Sequence, residues 1–79
     1  MKKKRMNRME FINKVNVIVR GNYAHNNEPI SFSEVAEYLS TTSDNLRLKK
    51  QDTDLMNELK RHGIVVKLIG NMNYFVFEN

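Results

Sequence analysis

The chain has no cysteine, so neither a disulfide framework nor a thiolate metal site is open to it, and packing alone must hold its core. No apolar run approaches the ~20 residues needed to cross a bilayer. The basic start Lys2-Lys3-Lys4-Arg5 resembles the opening of a signal peptide, but Arg8, Glu10 and Lys14 interrupt the stretch after it. No apolar h-region remains, and secretion is not expected. Glycine-rich phosphate loops, paired catalytic carboxylates and His-x-x-x-His spacings are missing, and His25 and His62 each stand alone. The expectation is a cytoplasmic protein that is not an enzyme, holds no metal or other cofactor, and has no membrane partner.

What is present is one small domain's worth of chain, 79 residues with a net charge of +4. The charge is unevenly spread. Residues 1–20 carry seven basic groups and one acid, whereas residues 21–79 carry six basic groups and eight acids. That pattern predicts a basic flexible arm over 1–5 and a near-neutral domain over 6–79.

The stretch from Asp52 to Glu78 reads as one unit. Asp52-Thr53-Asp54 offers N-cap chemistry, Leu55, Met56 and Leu59 recur at helical spacing, and Gly63 stands where a C′ residue takes positive φ. Ile64 to Ile69 is then β-branched and apolar, Gly70-Asn71 signals a turn, and Met72 to Phe77 is a second apolar run. A helix followed by a β-hairpin is expected.

Upstream, Met9, Ile12, Val15 and Val19, widened by Phe11 and Ile18, predict a first helix that ends at Gly21-Asn22. Its surplus apolar surface, Val17 included, is a candidate dimer contact. Tyr23 to Pro29 reads as a polar loop and Pro29-Ile30 as a short extended piece. Ser31 and Glu34 have capping-box spacing, and Ile30 and Val35 that of a hydrophobic staple. Phe32, Val35, Ala36 and Leu39 then form one apolar face, and Ser40 to Asp44 favours a turn. Between Asn45 and Gln51 no stripe links Leu46 to Leu55. Either one helix runs from Ser43 to His62, or a break near Gln51-Asp52 starts a new one, and the break is the favoured reading.

In this order, and with the run Leu59-Lys60-Arg61-His62-Gly63-Ile64-Val65, the chain resembles the winged helix-turn-helix family. Phe32 to Leu39 is similar to that family's second helix, with Ala36 where two helices cross closely. The distance from Ala36 to Leu59 is several residues longer than usual, the excess falling in the basic stretch Leu46–Gln51. The resemblance implies an α+β, mainly α fold: three helices of a winged helix-turn-helix with a C-terminal β-hairpin wing. It also implies a third helix in the major groove of duplex DNA, with Thr42, Ser43, Asn45, Arg47, Lys49, Lys50 and Gln51 as candidate contacts. The wing tip, with Asn71 and Asn73 and flanked by Lys67 and Tyr74, would lie near the backbone or minor groove. The arm, Lys2, Lys3, Lys4 and Arg5, would follow a groove or the phosphates.

Two functions from different classes are open to such a chain. The favoured one is a small DNA-binding transcriptional regulator, with double-stranded DNA as partner. The alternative is a winged-helix protein–protein interaction module, supported by Asp52, Asp54 and Glu58, whose charges would repel phosphate. A stand-alone domain of this composition suits a phage or mobile element, and a homodimer is compatible with either function. Each candidate also has a plain role: a solubilising tail for Lys2–Arg5, a solvated turn for Arg47, Lys49 and Lys50, and ordinary turn chemistry for Asn71 and Asn73.

Overall fold

The computed structural model describes residues 7–78. Lys2, Lys3, Lys4 and Arg5, and with them the expected basic arm, lie outside the described residues. The described part is mainly helical with a small antiparallel sheet, as expected from sequence. Its elements are α1 (Arg8–Asn26), β1 (Ile30–Ser31), α2 (Phe32–Leu39), α3 (Ser43–Lys50), α4 (Thr53–Arg61), β2 (Ile64–Ile69) and β3 (Met72–Phe77). Four helices therefore stand where the resemblance implied three. The excess length before Leu59 is folded as a helix of its own.

Each helix begins at a side-chain cap that accepts from a backbone N–H three residues on. Asn7 accepts from Glu10, Ser31 from Glu34, Thr42 from Asn45 and Asp52 from Leu55, at 2.8–3.2 Å. Every cap satisfies one of the amides that an α-helix leaves unpaired at its start. The Asp52 cap also explains the break after α3. A short polar side chain that bonds forward to Leu55 competes with helix continuation at its own position, and Gln51 closes α3 instead.

The first helix departs from its expected end. Gly21 and Asn22 do not terminate it; α1 continues to Asn26 and stops at Asn27, which takes the left-handed conformation at φ 54°. Two things offset the roughly 1 kcal/mol cost of a mid-helix glycine. The Asn22 side chain accepts from Asn26 Nδ2 at 2.9 Å and donates to the Glu28 carbonyl at 2.6 Å. The added turn also brings Tyr23 edge-on to Phe77, with centroids 5.8 Å apart. The polar loop is therefore shorter than Tyr23–Pro29. Met9, an expected member of the buried stripe, is 66% exposed. At about 100° per residue it lies roughly 100° round the helix from the face centred on Phe11, Ile12, Val15 and Val19.

One hydrophobic cluster joins that face of α1 to Ile30 of β1, to Phe32, Val35, Ala36 and Leu39 of α2, to Leu46 of α3, and to Leu55 and Leu59 of α4. Ile64 and Phe75 close it from the sheet, and Phe32 stacks tilted on Phe75 at 4.7 Å. The strand order is β1-β3-β2, all antiparallel, with Ile30 opposite Phe75 and Val66 opposite Phe75 on its other side. The hairpin turns at Gly70 and Asn71, φ 55° and 69°, the two positive dihedrals that a two-residue I′ turn requires. Gly63, at φ 80°, leads from α4 into β2.

Candidate nucleic-acid interface

Helix α3 is short, polar and attached to the core by one residue, Leu46, which is 1% exposed. Fixing Leu46 inward fixes the rest of the helix. Ser43, Arg47 and Lys50, spaced i, i+4 and i+7, share one side of it. A three-residue turn, Ser40-Thr41-Thr42, joins α2 to α3, with Ser40 left-handed at φ 56° in a place where glycine is common. Thr42 caps α3 through Asn45 N, and Asn45 Nδ2 donates back to Thr41 Oγ1 at 2.7 Å. Those two candidates are thus engaged in building the helix start. Gln51 stands exposed at the C-cap.

The tip of the β2–β3 hairpin lies against this side of α3. Between them runs a groove of about 110 Å³ whose polar lining is Ser33, Ser43, Arg47, Asn71 and Asn73, with Phe32 and Met72 as apolar walls. Lys50 Nζ donates to Asn73 Oδ1 at 2.8 Å, tying the end of α3 to the hairpin. The fold therefore brings Ser43, Arg47, Lys50, Asn71 and Asn73 together. Arg47 also forms an ion pair with Asp44, one turn back. Both side chains are more than half exposed, so solvent screens the pair strongly.

Two other candidates point elsewhere. The Lys49 ammonium sits 5.0 Å from the centre of the Phe11 ring, towards α1, and the residue is half-buried. Lys67 pairs with Glu78 at 2.7 Å on the sheet face that carries Tyr74, opposite the face of Asn73. A hydrogen bond to Glu78, reinforced by its negative charge, raises the Lys67 pKa above the ordinary 10.5. Sequence reasoning passed over Ser33 and Asp44. Asp44 is legible from its i,i+3 spacing to Arg47; Ser33, in the first turn of α2, becomes part of a groove only through the tertiary fold.

The described residues hold nine basic and nine acidic side chains, so the whole net charge of +4 comes from Lys2, Lys3, Lys4 and Arg5. Around the groove, Arg47 and Lys50 outnumber Asp44, and the local balance is positive. Among the described residues no helix is long and apolar enough to cross a membrane, and no group of three or more His, Asp or Glu is placed to hold a metal ion. Comparison with protein-family models, curated proteins and solved structures finds no match to this chain.

Proposed function

We propose that this protein is a winged helix-turn-helix that binds duplex DNA, with α3 as its recognition helix and the β2–β3 hairpin as its wing. One observation carries the reading. A helix of about 10–12 Å diameter fits a major groove about 12 Å wide, and α3 is joined to α2 by a three-residue turn and anchored by a single buried leucine. Its Arg47 and Lys50 side chains are exposed and lie beside the hairpin tip.

On this reading Arg47 reads guanine or holds a phosphate, Ser43 supports it, and Asn71 reaches the backbone from the wing tip. The arm at Lys2–Arg5 adds sequence-independent attraction, and the protein acts in the cytoplasm as a transcriptional regulator.

The test is fluorescence anisotropy of a labelled random duplex of about 25 base pairs, titrated at several salt concentrations, for the full chain and for a chain lacking residues 1–5. Binding that tightens steeply at low salt and survives loss of the arm is the expected result. Binding lost with the arm would reduce the affinity to tail electrostatics, and no binding by either chain would reject the reading.

A second reading, a protein-interaction module, has its own observation. Val17 and Tyr38 stand 71% and 70% exposed beside Ile18 and Leu39, in an apolar groove between α1 and α2. Val17 faces away from the core, with the uncharged Asn13, Gly21 and Ala24 on the same side of α1. A partner protein or a second copy would cover such a surface. Sedimentation of the wild type and of Val17→Glu across a concentration range tests the second copy: only a self-associating wild type, made monomeric by the substitution, supports it.

A further inference from the structure

We infer that the groove between α3 and the hairpin tip is a seat for one backbone phosphate of duplex DNA, gripped jointly by Arg47 from the helix and Asn73 from the wing. The inference rests on the DNA-binding reading above and adds the chemical group that the wing takes hold of.

The wing has no cation of its own to offer. From Leu68 to Asn73 there is no charged residue, and Lys67 is paired with Glu78 at 2.7 Å. Any anion met by the tip must therefore be held with the help of another element. The structure supplies that element at Lys50, whose ammonium donates to Asn73 Oδ1 at 2.8 Å. A lysine has donors only, so this contact requires the amide oxygen of Asn73 on the lysine side. The amide NH2 is then the group left over, and it can only donate.

The rest of the groove has the same polarity. Arg47 carries five N–H donors in a planar fork. A carboxylate takes at most two of them, so the Asp44 pair leaves at least three. The hydroxyls of Ser33 and Ser43 donate as readily as they accept, and Asn71 is a further polar residue of the lining. A phosphodiester complements this lining. Its non-bridging oxygens accept and never donate, and its single negative charge meets Arg47 and Lys50 offset by Asp44. Size agrees as well: at about 110 Å³ the groove is well below the ~300–1,000 Å³ of small-molecule pockets. One phosphate held from both sides would set how α3 sits in the major groove relative to the wing.

The decisive variant is Asn73→Asp. It keeps the size of the side chain and its contact with Lys50, now an ion pair, but replaces the NH2 donor with a carboxylate oxygen. With the random duplex of about 25 base pairs, Asn73→Asp should weaken binding by about tenfold or more, with an unchanged urea midpoint. Arg47→Ala should weaken binding and lower the salt slope by about one phosphate. Combining the two should cost less than the product of the separate losses, because both act on one phosphate.

A measurement without any variant stands beside these: the Asn73 side-chain NH2 resonances of the wild type should shift on adding the duplex. If the wild type binds the duplex but Asn73→Asp binds equally well, or the two losses simply multiply, or the NH2 resonances stay still, the shared seat is overturned and DNA binding stands. If the wild type binds no duplex at low salt, the DNA reading fails and the seat with it.

Discussion

Replacing Gly63 by alanine should destabilise the protein, and replacing Gly21 by alanine should stabilise it. Gly63 joins α4 to β2 at φ 80°, a conformation that costs an L-residue about 1–2 kcal/mol. A Cβ there would also lie 2.7 Å from the Glu78 carbonyl oxygen and 3.1 Å from Phe77 Cε1. The oxygen is backbone, and Glu78 N donates to the Gly63 carbonyl at 2.6 Å, so neither chain can withdraw without losing that bond. Such a forced shift adds about 1–3 kcal/mol, giving a total of roughly 2–5 kcal/mol. Gly21 has no positive φ and nothing within 4 Å of its would-be Cβ. It lies inside α1, where alanine is favoured by about 0.8–1 kcal/mol. Urea unfolding followed by circular dichroism measures both. With m near 1 kcal/mol per molar, the midpoint of Gly63→Ala should fall by about 2 M or more and that of Gly21→Ala should rise by just under 1 M, with m unchanged. A Gly63→Ala protein within about 0.5 kcal/mol of wild type, or a destabilised Gly21→Ala, would refute the reasoning.

Leu46→Ala removes the one buried side chain of α3 and should cost about 2–4 kcal/mol; amide exchange should speed up most in Ser43–Lys50, and uniform loosening of the whole chain would count against the anchor. The two lysines at the end of α3 should differ in duplex titrations. Lys50→Ala should lower the salt slope by about one, whereas Lys49→Ala, whose ammonium sits over Phe11, should leave it unchanged, and equal slopes would contradict the placement. The folded state holds the Lys67 proton more tightly than the unfolded chain does. Its contribution is therefore complete below the ordinary lysine value of 10.5 and disappears as pH rises through the higher folded value. The stability gap between wild type and Lys67→Met should accordingly be flat up to about pH 9.5 and close above the lysine range; a gap that widens there would reverse the sign.

Much of this fold is written in short-range signals. Ser31 and Asp52 cap the helices that begin just after them, Gly63 leaves α4 with positive φ, and Gly70-Asn71 turns the hairpin, because each depends only on backbone geometry within a few residues. The apolar face of α2 and the terminal hairpin follow from spacing and turn residues alone, while the mainly α class is what the family resemblance implies. Tertiary contacts decided the rest. α1 runs through Gly21 because Tyr23 finds Phe77, some 50 residues away in the chain, and local propensity carries no record of that partner. The sheet order puts β1 beside β3, a long-range pairing that no local pattern encodes. The candidate site divides in the same way. Arg47 and Lys50 were legible as a basic run, and Asn71 and Asn73 as turn residues. That they line one groove, while Lys49 turns to Phe11 and Lys67 to Glu78, follows from the inward fixing of Leu46 and the register of the hairpin. Residue type announces what a side chain can bind; only packing settles which side chains meet.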